Sequence, residues 1–175
     1  MENIIKKNGL SLGVVLGIVL ILIIATMYAI DLSLLINTWI GVFNFVLIVT
    51  FGVVCSIKNK KALKGIMSFK EAFSSFILPV IVGVGMYVLF SVLLFNVIDT
   101  GAKEVVTEQV IEMTKNMMSK FNVPASDINK AIEKIENEDG FGPFAQLQSY
   151  LFQIAFYSLL GLLVSLIFKT PSNKN

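Results

Sequence analysis

The chain has 175 residues, 55% of them hydrophobic, a mean hydropathy of +0.80 and a formal net charge of +2, which is more apolar than a soluble domain needs to fill its core. All 14 basic residues are lysine, there is no histidine, and Cys55 is the sole cysteine. These absences remove the bidentate arginine clamp on nucleic acid, the usual proton-transfer side chain near neutral pH, intrachain disulfides and multi-cysteine metal sites.

Four stretches carry no charge: Leu10–Ile30, Leu32–Ile57, Ala72–Ile98 and Phe141–Phe168. At about 1.5 Å of rise per residue each can cross a hydrocarbon layer about 30 Å thick. The first follows Lys6 and Lys7 as a signal peptide would, but its 21 uncharged residues exceed an ordinary signal core. Bulky residues separate Ala25 and Ala29 where a cleavage site would need small ones, so it reads as an uncleaved span. Gly9, Gly13 and Gly17 recur every four residues along it, a face over which helix backbones approach closely in lipid. That face serves either homodimerisation or packing against another span, and a four-span bundle needs such a face in any case. Only a few residues around Asp31-Leu32-Ser33 turn the chain, so the first two spans form an antiparallel hairpin, with Tyr28 and Trp39 at headgroup level beside the turn.

The second span contains Asn44, near mid-membrane, and Cys55, read as a small packing residue. The connection after it holds Lys58, Lys60, Lys61, Lys64 and Lys70, then Ser68-Phe69-Lys70-Glu71, an S-x-x-E capping box opening the third helix. Pro79 interrupts that helix and is expected to kink it. The segment after the third span is acidic and helical. Val106, Val110, Met113 and Met117 make one amphipathic helix, Asn122-Val123-Pro124 breaks it, and Ser126 can cap a second with an Ile128, Ala131, Ile132, Ile135 stripe. Those stripes need a partner: each other, the membrane surface or a second protein. The last span carries Gln153, Ser158, Ser165 and a weaker small pair, Gly161 and Ser165.

With four crossings, nine lysines fall on one side against Glu2 and Glu71, while five lysines and ten acidic residues fall on the other. Lysine excess marks the cytoplasmic face, which places both termini inside and the long loop outside. The fold class is therefore an all-α integral membrane four-helix bundle with an extracytoplasmic two-helix amphipathic cap. It forms a single membrane domain over residues 1–175, with spans near 10–30, 34–57, 74–98 and 145–168 and an outer helical segment at 99–143.

No ionisable side chain lies deep in a span and no inverted repeat is evident, which disfavours ion-coupled transport. No nucleophile–base pair, carboxylate dyad or glycine-rich phosphate loop stands out, so neither a catalytic residue nor a cofactor is expected. The cluster Glu133, Glu136, Glu138 and Asp139 lacks the ligand spacing of a calcium loop and reads as a solvated helix end, so no metal is assigned. Asn44 and Gln153 are the polar groups that must find partners in the membrane, as interhelical contacts or as the lining of a solute path. The expected function is non-enzymatic, through partner or lipid binding. The alternative is a small channel or transporter for an uncharged solute. The partners expected are the lipid bilayer and a protein or second copy met through the outer helices or the first span, with no nucleic acid.

The Lys6-Lys7-Asn8-Gly9 lead-in, the close first hairpin, the run Met67-Ser68-Phe69-Lys70-Glu71-Ala72-Phe73 and the acidic segment before the last span resemble the Domain of Unknown Function 4199 family. That resemblance implies a small four-span protein of the bacterial inner membrane with no established activity, and it brings no catalytic or binding residues.

Overall fold

The computed structural model describes residues 2–170; Lys174, counted above with the tail lysines, lies outside the described residues. Six α-helices follow one another: α1 (Glu2–Ile30), α2 (Thr38–Ala62), α3 (Phe69–Leu93), α4 (Thr100–Lys120), α5 (Ala125–Asn137) and α6 (Pro143–Phe168). Four of them are long and apolar enough to span a membrane, over Asn3–Ile30, Thr38–Ala62, Phe69–Ile98 and Pro143–Phe168. The protein is thus an all-α membrane bundle. In lipid every backbone polar group needs an internal partner, and a continuous helix supplies one at each residue. Leucines facing away from the bundle, such as Leu22, Leu89, Leu159 and Leu163, stay exposed to meet acyl chains.

The helices run past the charge-free stretches at the lysine-rich end. α1 takes in Lys6 and Lys7, and α2 takes in Lys58, Lys60 and Lys61, because a lysine stem can lie along the helix while its ammonium reaches water. The α1–α2 hairpin is closed by a 3₁₀ turn, Leu32–Ile36, with a side-chain cap at each end. Asp31 accepts from the Ser33 N–H at 2.8 Å and Asn37 from the Trp39 N–H at 2.9 Å. The expected capping box is formed: Ser68 N–H donates to Glu71 Oε2 at 2.8 Å and Glu71 N–H donates to Ser68 Oγ at 3.3 Å. Ser126 does not cap α5, which begins one residue earlier behind Pro124 with no side-chain cap. Proline's fixed φ starts that helix without help. A five-residue π segment, Leu94–Ile98, joins α3 to α4 and has no signature in the hydrophobic pattern.

The third helix is the hub. α1, α2 and α6 all pack on it; α2 lies against both α1 and α6, while the backbones of α1 and α6 stay apart among the described residues. Close approach comes from small residues. A Cβ on Gly9 would lie 2.8 Å from Leu78 Cβ, one on Gly13 2.6 Å from Val82 Cβ, and one on Gly17 2.6 Å from Met86 Sδ. The glycine face of the first span is therefore laid against α3 of the same chain. Gly83 reciprocates under Leu16. Phe76, fully buried, is held between two further glycines, with Gly52 of α2 against one edge of the ring and Gly161 of α6 against the other.

At the opposite end α4 is rooted by Ala102 and Val106 in a cluster with Ile24, Met27, Leu94 and Phe95. Tyr28 donates its hydroxyl proton to Asp99 Oδ2 at 2.7 Å, and Asp99 Oδ1 accepts from the Ala102 N–H at 3.0 Å. One carboxylate thus caps α4 and ties it to the end of α1. Among the described residues the α5 helix packs on α4 and on no other helix. Asn122, in the left-handed region at φ 55°, makes the turn between them, a conformation asparagine tolerates better than most residues.

Candidate functional site

Two buried polar sites lie along the bundle axis, and they differ in whether their hydrogen bonds are complete. The first is at the lysine-rich end. Asn59 of α2 is fully buried: its Oδ1 accepts from Asn8 Nδ2 of α1 at 2.7 Å, and its Nδ2 donates to Ser75 Oγ of α3 at 3.0 Å and to Cys55 Sγ at 3.6 Å. Ser75 passes its own proton to the Glu71 carbonyl at 2.7 Å. This network joins three helices and occupies both ends of the buried Asn59 amide. It is an interhelical clasp, of the kind that stabilises bundles in lipid.

The second site is nearer the cap. α2 contributes Gly41, Asn44, Phe45 and Ile48, spaced to share one helical face. α6 contributes Gln153 and Tyr157, α3 contributes Val84 and Tyr87, and Leu20 of α1 closes the back. These residues line a half-open cavity of about 230 Å³, with Gly41 and Phe45 exposed at its edge. The Phe45 ring stacks on Tyr157 with centroids 6.0 Å apart and makes a tilted contact with Phe156. The structure therefore brings Asn44 and Gln153 together at one cavity, although 109 positions separate them in the chain. Asn44 Oδ1 is buried and accepts no hydrogen bond among the described residues. A buried acceptor left in this state costs about 1–3 kcal/mol, so the site is incomplete in a way that Asn59 is not. Toward the lysine-rich end the layer formed by Gly52, Phe76 and Gly161 fills the bundle beneath the cavity.

Several other polar side chains in the spans find partners within their own helix. Thr26, Ser158 and Ser165 each donate to the carbonyl four residues earlier in their own helix, which satisfies a hydroxyl in lipid without reaching a neighbour. Cys55 is fully buried. The acidic cluster is open to water: Asp139 pairs with Lys103 and Glu138 with Lys134. The Asp99 carboxyl is held below the usual carboxylate range, chiefly by the Tyr28 hydroxyl and next by the Ala102 N–H. Gln109 Oε1 is a second unpaired buried acceptor, on α4 beside the open cleft over the α1–α2 turn.

Asn8, Asn59 and Ser75 did not stand out in the sequence because two of them lie beyond the charge-free stretches. Their one legible signal is spacing: Cys55 and Asn59 sit four apart on a helical face that also carries Gly52.

No curated protein and no solved structure matches the chain. A family model described as "Protein of unknown function (DUF4199)" matches residues 11–170, from within α1 through the close of α6. A membrane bundle with four helices able to span, a capped third helix and an acidic helical pair, the chain belongs to the DUF4199 family.

Proposed function

We propose that the protein is a non-enzymatic binding protein of the bacterial inner membrane, and that the cavity around Asn44 and Gln153 takes part of an uncharged lipid. The observation that carries this reading is that Asn44, whose Oδ1 is buried and unpaired, lines the same recess as a second amide, Gln153. A ligand with a hydroxyl or amide N–H would complete that hydrogen bond, and aromatic and aliphatic walls would take its apolar part. At about 230 Å³ the cavity is smaller than the roughly 300–1,000 Å³ of pockets that swallow a whole small molecule. It suits one end of a lipid, the rest of which stays in the bilayer. The lysine asymmetry supports cytoplasmic termini, an orientation that would put the cavity in the outer half of the membrane and α4–α5 outside. Since α3 covers the glycine face of α1, a protein partner or second copy would meet the outer helices.

The same two amides also suit a path for an uncharged solute. Against that stands the Gly52–Phe76–Gly161 layer, which blocks the axis below them.

The test is native mass spectrometry of protein extracted gently from its own membrane. A neutral lipid adduct on the wild type that is lost in Asn44→Leu and Gln153→Leu supports the binding role. Equal adducts on all three proteins, or none on the wild type, refute it. Uptake of glycerol or urea by proteoliposomes, abolished by either variant, would favour the solute path instead.

A further inference from the structure

A second concave site lies at the lysine-rich end, on the side of α3 where α1 and α6 fail to meet. It is a groove of about 410 Å³ between the first turns of α1 and the first turns of α3. Its rim is charged and polar: Lys6 stands on the α1 wall, Lys70 on the α3 wall, and Ser74 one turn further along α3. Its floor is apolar, made by Ile5, Phe73, Ile77 and Leu78. Among the described residues Glu71 is the acid on the groove, its carboxylate engaged by the Ser68 N–H and hydroxyl, each at 2.8 Å, in the cap of α3, and Lys6 too has an interaction of its own.

We propose that this groove binds one anionic phospholipid of the leaflet at the lysine-rich end, with its phosphate between Lys6 and Lys70 and an acyl chain over Ile77 and Leu78. Three features select that occupant. The polarity runs in the order of a lipid, from cationic at the ends of the spans to apolar along them. The groove opens where α1 and α6 leave α3 uncovered, so a molecule already in the bilayer reaches it sideways. Two lysines on facing walls give charge complementarity to a phosphate. Lysine excess at a cytoplasmic face needs no particular placement; what that excess does not explain is two lysines and a hydroxyl converging on an apolar trough. This inference does not rest on the Asn44 cavity, which lies toward the other end of the bundle and would take an uncharged ligand.

The experiment uses the full chain in detergent micelles, titrated with phosphatidylglycerol or phosphatidylcholine of the same acyl chains and read by native mass spectrometry. One tightly held phosphatidylglycerol is expected, with phosphatidylcholine weaker by tenfold or more. Lys70→Gln and Lys6→Gln should each weaken it about fivefold, the worth of one lysine near an anionic surface. Lys61→Gln with Lys64→Gln, exposed at the same end but away from the groove, should leave it unchanged. Ser74→Leu, which fills the trough with a side chain helices accept readily, should abolish it while circular dichroism and melting stay those of the wild type. Equal loss in the Lys61 and Lys64 variant would mean diffuse attraction and overturn the proposal. So would equal retention of phosphatidylcholine, which marks ordinary annular lipid. Full competition by inorganic phosphate, the mark of a soluble-anion site, would overturn it as well.

Discussion

Leucine in place of Asn44 and leucine in place of Asn59 are expected to move stability in opposite directions, although both replace an amide on α2 whose oxygen is buried. At Asn59 the change removes the bond from Asn8 Nδ2 at 2.7 Å and the bond to Ser75 Oγ at 3.0 Å. Interhelical hydrogen bonds in lipid are worth about 0.6 kcal/mol on average and up to about 1.7. Stranding the Asn8 amide beside an apolar side chain adds about 1–3 kcal/mol. Asn59→Leu should therefore destabilise by about 2–4 kcal/mol. At Asn44 no bond to Oδ1 is lost, because none is made. Leucine there lifts the desolvation penalty of an unpaired acceptor, so the lipid-stripped protein should gain about 1–2 kcal/mol. The assay is unfolding in sodium dodecyl sulfate, read by alkylation of Cys55, which is the sole cysteine and fully buried in the fold. An Asn44→Leu protein less stable than wild type by 1 kcal/mol or more would falsify the reasoning, since the amide would then be a structural contact and not an open site.

Three other perturbations test the packing and the caps. Gly52→Ala puts a methyl group 2.6 Å from Phe76 Cδ2 and Cε2 while Gly161 blocks retreat on the other side, so a loss of about 1–3 kcal/mol is expected. Phe76→Leu should recover part of that loss in the double variant, and Gly41→Ala, with nothing within 4 Å of its new Cβ, should be neutral in the same assay. Since the folded-state pKa of Asp99 is depressed, the stability it contributes is present above its unfolded value near about 3.9 and is lost as pH falls through the folded value. Tyr28→Phe removes the larger cause, so the Asp99 titration read by carboxyl-carbon NMR should move upward; an unmoved titration rules the pairing out. Thr170 accepts from the Met67 N–H at 3.0 Å and donates to the Gly65 carbonyl at 2.9 Å. Thr170→Val should speed hydrogen exchange at Met67 at a loss of about 1 kcal/mol, and unchanged protection of that amide would discount the clasp.

Hydropathy made the bundle legible because a spanning helix has no wet face, and no alternative fold hides that many apolar residues. The capping box was legible for a similar reason: Ser68 and Glu71 act over three residues, within reach of any local reading. Boundaries defined by missing charge were less faithful. They stopped α2 at Ile57 and started α1 at Leu10, and so left Asn59 and Asn8 among loop residues, when lysines can be carried on the ends of a spanning helix. Asn44 and Gln153 could be singled out as polar, but their meeting depends on how α2 and α6 cross α3, which no periodicity encodes. The π segment at Leu94–Ile98 was likewise invisible, since one extra residue in a turn leaves an apolar run looking the same.

The central position of α3 bears on the order in which the molecule can assemble. When α1 and α2 leave the ribosome as a hairpin, the glycine face of α1 has no occupant, because Leu78, Val82 and Met86 have yet to be made. At ordinary synthesis rates that interval is on the order of several seconds. In it the first hairpin is inserted but unsupported, open to chaperones, to proteolysis or to pairing with another nascent copy. Arrival of α3 ends that exposure and also creates the surface on which α6 docks. A chain broken in the loop before Ser68 should therefore rejoin when both pieces are made together, whereas one truncated after α2 should be cleared from the membrane.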